Sequence, residues 1–196
     1  MKLFLNGQEL SFTLENEKTV GDLLRSLEMQ CEKNNATIIH IAVDGSAVEA
    51  AKIEELDNKP LETTEKAEIT TVSSVDILQA MKDIEPDVQK VVTGLEELPV
   101  ILQSGDMNKA GAVIKSFTDM FDVLCHLTTL TALFPSEFAD KKIDGQSVSE
   151  FIKSFSPVLA DFENAFSSSD TVLTGDLAEY EIKPRLESYC NAVRSF

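Results

Sequence analysis

The chain has no tryptophan and only two histidines, His40 and His126, among 196 residues. General acid–base chemistry would have to rest on carboxylates, and no spacing places a pair of them in a pocket. The short patterns that cradle phosphate, present a nucleophile or hold catalytic zinc are missing: there is no GxxxxGK(S/T), GxGxxG, GxSxG or HExxH. These absences argue against an enzyme, and no catalytic residue, cofactor or metal is assigned. Cysteine is scarce too. Cys31, Cys125 and Cys190 are odd in number, far apart and without a CxxC pair, which excludes a disulfide scaffold and points to a reducing compartment. No run of 18 apolar residues occurs, and no basic segment leads into a long apolar one near the start. Neither a membrane span nor a signal peptide is expected, so the expected location is the cytoplasm.

Bases are the next shortage. Seventeen Lys and Arg stand against 34 Asp and Glu, a formal charge of −17. The excess is spread: residues 1–72 hold 14 acids and 7 bases, residues 73–196 hold 20 and 10. Binding to phosphate backbones or anionic lipids relies on Lys and Arg displacing counterions. Nucleic-acid and membrane partners are therefore excluded. A basic protein partner is permitted, although solubility alone accounts for the acidity.

What the chain does have is a change of rhythm near residue 73. Before it, Lys2–Leu5 and Glu9–Leu14 read as strands joined at Asn6-Gly7, a strong hairpin pair. In the second strand Leu10, Phe12 and Leu14 alternate with polar residues, which predicts one buried face. Thr19 opens a helix with Asp22 in capping-box position, striped by Val20, Leu23, Leu24, Leu27 and Cys31 and stopped at Asn34-Asn35. Ile38–Val43 is a third strand, turning at Asp44-Gly45 into a short fourth near Ala47-Val48, and Glu68–Val72 is the last. Residues 1–72 in this order resemble the ubiquitin-like β-grasp fold. That family works through a free Gly-Gly tail. Here the last strand runs into Ser73-Ser74 and the chain closes on Arg194-Ser195-Phe196, so the resemblance implies a recognition surface rather than conjugation or sulfur transfer.

From residue 73 to 196 the apolar spacing is helical. Leu78, Met81, Ile84, Val88, Val91, Leu95, Leu98 and Leu102 make one stripe, interrupted at Pro86 and Pro99. Gly105-Asp106 stops that segment and caps the next, which carries Ala110, Phe117, Phe121, Leu124 and Leu127. A polar loop through Asp144-Gly145 follows. Ser147-Val148-Ser149-Glu150 is a capping box for a third helix striped by Phe151, Phe155, Leu159, Phe162 and Phe166. Asp170 caps a fourth, with a kink expected at Pro184. The pattern predicts an antiparallel four-helix bundle, and an α+β class for the whole chain. A duplication is hinted at, because Asp106 and Asp170 each sit five residues before a glycine, Gly111 and Gly175. The stretch from Gly175 through Asp176, Glu179-Tyr180-Glu181 and Pro184 to Leu186 resembles the closing helix of an uncharacterised bacterial helical family. The resemblance covers residues 75–195 and implies fold, not activity.

The densest polar group is Asp176, Glu179, Tyr180 and Glu181, a candidate partner-binding or ion-binding face. The plainer reading is a solvated face, with Glu179 pairing Lys183 and Glu181 pairing Arg185. Asp122 and His126 share a helix face at i,i+4, but they stand alone and are expected to be structural, His126 half-buried. The leading functional reading is a non-enzymatic adaptor or chaperone-like protein with a protein partner. The phenylalanines could line a groove for an amphipathic helix, although they could equally fill the core. The alternative is a ligand or metal sensor using the acidic face. Neither the partner's identity nor the oligomeric state follows from the sequence.

Overall fold

A computed structural model describes residues 1–13 and 16–196. The chain divides into two compact units, Met1–Asp76 and Ile77–Phe196. The first is built on a sheet and the second is helical, so the class is mixed α+β.

The first unit holds β1 (Lys2–Leu5), β2 (Gln8–Leu10), α1 (Val20–Glu32), β3 (Ala36–Val43), β4 (Ser46–Ala47) and β5 (Lys66–Ser73). The sheet order is β2-β1-β5-β3-β4, with β1 and β5 parallel and the other pairings antiparallel. Leu3 and Val43 both face Ala67, and Leu5 and Ile41 both face Ile69. This row meets Val20, Leu23, Leu24 and Leu27 of α1 in one core. Thr19 and Asp22 form the expected capping box. The stretch after β4 is more ordered than the sequence indicates. It forms 3-10 turns over Ala50–Asn58 and Leu61–Thr63, which bury Leu56 and Leu61 but leave Ile53 exposed.

The second strand is shorter than expected. Its ladder with the four-residue β1 ends at the Leu3–Leu10 pair, and Leu10 is exposed while Phe12 packs on the core. Leu14 lies outside the described residues. Both turns do more than reverse the chain. At Asn6-Gly7 and Asp44-Gly45 all four φ angles are positive, the backbone that tight hairpins require. Asn6 Oδ1 then accepts from Thr71 N at 2.8 Å. Asp44 accepts from Glu65 N (2.8 Å), Lys66 N (3.0 Å) and Lys59 Nζ (2.8 Å). These donors, the Lys59 ammonium foremost, bring its carboxyl down to about 2 from 3.8.

The second unit continues α2 (Ser74–Asp83), which opens on a Ser73–Asp76 capping box. There follow α3 (Glu85–Ser104), α4 (Met107–Thr131), α5 (Pro135–Phe138), a small hairpin of β6 (Lys142–Ile143) and β7 (Gln146–Ser147), α6 (Val148–Lys153), α7 (Phe155–Ser167), α8 (Thr171–Leu177), a π-helical turn over Ala178–Ile182, and α9 (Lys183–Val193). Three of the breaks have a common cause. Proline lacks the amide that would bond four residues back, and its ring crowds that carbonyl. Pro86 follows the break at Ile84, Pro157 the break at Ser154, and Pro184 the π turn. In that turn Lys183 N–H bonds Ala178 O, five residues back, and the extra residue returns Ile182, Leu186, Tyr189 and Val193 to the buried face. Pro99 behaves differently from expectation, since α3 runs through it unbroken.

The two inter-helix junctions are alike in detail. Gly105 and Ser169 both have positive φ, and the amide two residues after each bonds back to its carbonyl. Asp106 and Asp170 cap with near-identical backbones (φ −79°, ψ 76° and φ −77°, ψ 84°), accepting from Lys109 N and Leu173 N. Five residues beyond the caps the likeness ends. A Cβ on Gly175 would lie 3.1 Å from Pro99 Cβ and 3.3 Å from its Cα, whereas one on Gly111 would meet nothing within 4 Å. Seven residues before each aspartate stand Pro99 and Glu163. One pairing is closed and its counterpart open.

Two outcomes follow. Gly175→Ala should lose about 1–2 kcal/mol in urea unfolding, overpacking against Pro99 outweighing the helix preference of alanine. Gly111→Ala should gain about 0.5–1 kcal/mol. Because the folded carboxyl of Asp44 is depressed, its contribution is complete above the unfolded value of 3.8 and is lost as pH falls through about 2. Hydrogen-exchange protection in β3 and β5, taken relative to the intrinsic rate at each pH, should therefore fall from about pH 4 to pH 2, and Asp44→Asn should be less protected at pH 6 but flatter across that window.

Candidate partner-binding groove

α4 and α7 face each other across a seam lined by residues of both. α4 packs on α3 and α6, and α7 packs on α8. Between α6 and α7 the chain changes direction at Ser154, whose hydroxyl donates to Phe151 O at 2.6 Å. Rings span the gap that results. Phe151–Phe155 (5.5 Å between centroids), Phe155–Phe121 (5.0 Å), Phe121–Phe117 (5.8 Å) and Phe117–Phe162 (6.4 Å) form a continuous ladder of edge and tilted contacts.

Two hollows open above this ladder. One, about 340 Å³, is lined by Ile114, Phe117, Thr118, Phe121, Leu159, Phe162, Glu163 and Phe166. The other, about 470 Å³, runs on towards Cys125, Ile152 and Lys153. They share Phe121, Leu159 and Glu163 and so form one groove. The core reading of the phenylalanines holds for four of the six, since Phe117, Phe151, Phe155 and Phe162 are buried. Phe121 and Phe166 are half-exposed walls, as are Ile114 and Leu159. The polar lining is sparse. Thr118 spends its hydroxyl on Ile114 O at 3.0 Å. Cys125 has its thiol pushed up by burial first and then by Asp122, so it is an inert wall rather than a nucleophile. Glu163 is exposed and joins no ion pair among the described residues.

The acidic group singled out from sequence sits elsewhere, at the π turn. Asp176 and Tyr180 are exposed, Glu179 and Glu181 half-buried. Arg185 Nη1 donates to Glu181 Oε2 at 2.7 Å, as the solvated-face reading expects. Lys183 does not pair Glu179. It reaches across to Glu96 of α3 at 3.1 Å, because the π turn changes which residues share a face. Glu179 instead acts on Tyr180, and its charge is the main reason that hydroxyl is raised from 10.0. His126 is exposed rather than half-buried, and His40 is exposed as well. Among the described residues no group of three or more His, Cys, Asp or Glu could hold a metal. Nor is any described helix long and apolar enough to cross a membrane.

Sequence reasoning singled out the phenylalanines but missed Glu163, Thr118 and Lys153 as groove residues. The available signal was Pro157, which marks the break between α6 and α7 near these residues. The two tyrosines give a direct test of the acidic face. In a titration followed by absorbance, Tyr180 should ionise above the ordinary range, and Glu179→Gln should lower its midpoint. Tyr189, raised further by burial, should stay silent until the protein unfolds.

Comparison with other proteins agrees with the two-unit division. Residues 1–73 match the TP0873 N-terminal domain. A protein of Treponema pallidum (strain Nichols) described as uncharacterized is 29% identical over 188 residues, 94% of this chain and 92% of that one. No solved structure matches. Residues 79–192, more than half of the chain, match the family described as Domain of unknown function (DUF8042), and the chain belongs to that family.

Proposed function

We propose that this protein is a non-enzymatic adaptor or chaperone-like module that holds a protein partner in the α4–α7 groove. The observation that carries the reading is the groove itself, with half-exposed Phe121 and Phe166 above a buried ring ladder and few polar groups in the lining. An apolar channel between two helices is a surface into which a partner's amphipathic helix can dock. Three free thiols fit a reducing, cytoplasmic setting.

At the level of fold we read the first unit as β-grasp, ubiquitin-like in type. Parallel β1 and β5 in the middle of the order β2-β1-β5-β3-β4, with α1 between the hairpin and β3, support this. The second we read as a four-helix bundle whose members are α3, α4, α6 with α7, and α8 with α9, with tight capped turns at Gly105-Asp106 and Ser169-Asp170 and a longer link through α5 and the β6–β7 hairpin. The acidic face is the weaker seat for a ligand, since the Glu181 carboxylate is engaged by Arg185 and that of Glu179 by Tyr180.

A photocrosslinking amino acid placed at Thr118, Glu163 or Tyr180, in cells, separates these sites. The groove reading expects one discrete protein adduct from positions 118 and 163, lost on Phe121→Asp. Adducts from position 180 alone would transfer the function to the acidic face, and no adduct at any position would sink the adaptor.

A further inference from the structure

Resting on the groove reading just given, we propose that the occupant is a basic amphipathic helix of a partner protein. Its apolar residues, at i, i+4 and i+7, fill the two hollows, and a Lys or Arg lies over Glu163.

The lining first excludes an extended peptide. A strand needs free main-chain amides and carbonyls to pair with. Both walls here are helices, α4 and α7, whose interior main-chain groups bond within the helix. The Thr118 hydroxyl is also committed to its own helix. An occupant must therefore satisfy its own backbone, and a helix does so.

Length comes next. From Ile114 to Cys125 the α4 wall runs about 16 Å, at about 1.5 Å per residue. Anchors at i and i+7 span about 10 Å, which fits within the channel, and the shared residues Phe121 and Leu159 fall between them. Volumes of about 340 and 470 Å³ are large enough for Leu- or Phe-sized side chains.

Charge then selects the kind of helix. Glu163 lines both hollows, is exposed, and joins no ion pair among the described residues. Asp122 lies close enough to Cys125 of the groove wall to raise its thiol. Lys153 at one end is the only cation in the lining. Residues 73–196 carry 20 acids and 10 bases, so the surrounding field steers cations inward.

The test uses the full chain and two fluorescein-labelled helical peptides of the same Leu i, i+4, i+7 stripe. One has Lys and Arg on the polar positions, the other Glu. Fluorescence anisotropy at 50 mM salt should show the basic peptide binding at least tenfold more tightly. Glu163→Lys should weaken it at least fivefold and improve the acidic one. Phe121→Ala and Phe166→Ala should weaken the basic peptide at least tenfold, with thermal melting confirming that each variant is folded. Glu163→Gln serves as a milder probe of the same charge. Equal binding of both peptides, lost in the phenylalanine variants but indifferent to Glu163→Lys, would keep the groove and overturn the basic partner. Basic binding unchanged in the phenylalanine variants would show mere surface attraction and overturn the proposal. Failure of both peptides would overturn the helix and the groove together. A dimer in sedimentation dispersed by Phe121→Asp would keep the groove, give it to a second copy of the chain and overturn the basic partner.

Discussion

The contact of Gly175 with Pro99 organises the helical unit. Helices approach this closely where one lacks a Cβ, and a Cβ on Gly175 of α8 would lie 3.1 Å from Pro99 Cβ of α3, tighter than an ordinary contact. That crossing sets where α8 starts its run along α3. The π turn that follows restores the buried phase of α9 after the displacement that Pro184 imposes. With α8 and α9 committed to α3, α7 is held on α8, while α4 packs on α3 and α6. The groove lies between these two arrangements, on the α4–α7 seam.

Features decided by neighbours in the chain were legible from the residues alone. The Thr19–Asp22 and Ser147–Glu150 boxes, the aspartate caps at 106 and 170 and the Asn6-Gly7 turn each depend on groups within a few positions. The mixed class and the separation into a sheet part and a helical part were legible for the same reason. Features decided by distant groups were not. Lys183 chooses Glu96, far away in sequence, over Glu179 four residues before it. Pro99 stays within its helix, and β2 ends at Leu10 opposite Leu3, one residue short of the end of β1.

The groove was legible in composition but not in place. A surplus of phenylalanine on two helices is compatible with a filled core, and for the four buried rings that is what it means. Whether the remaining two close the core or line a channel depends on how closely α7 lies to α4, a tertiary spacing no periodicity records. Pro157 marks the break between α6 and α7 and says nothing about that spacing.

The buried Tyr189 hydroxyl donates to Met81 O at 3.0 Å across 108 residues of chain. During synthesis α2 has left the ribosome long before α9 exists. At about 5–20 residues per second, several seconds pass in which α2 and α3 have no partner for the face that α8 and α9 will cover. That face stays uncovered meanwhile, and the Tyr189–Met81 bond closes only once the last helix has been made.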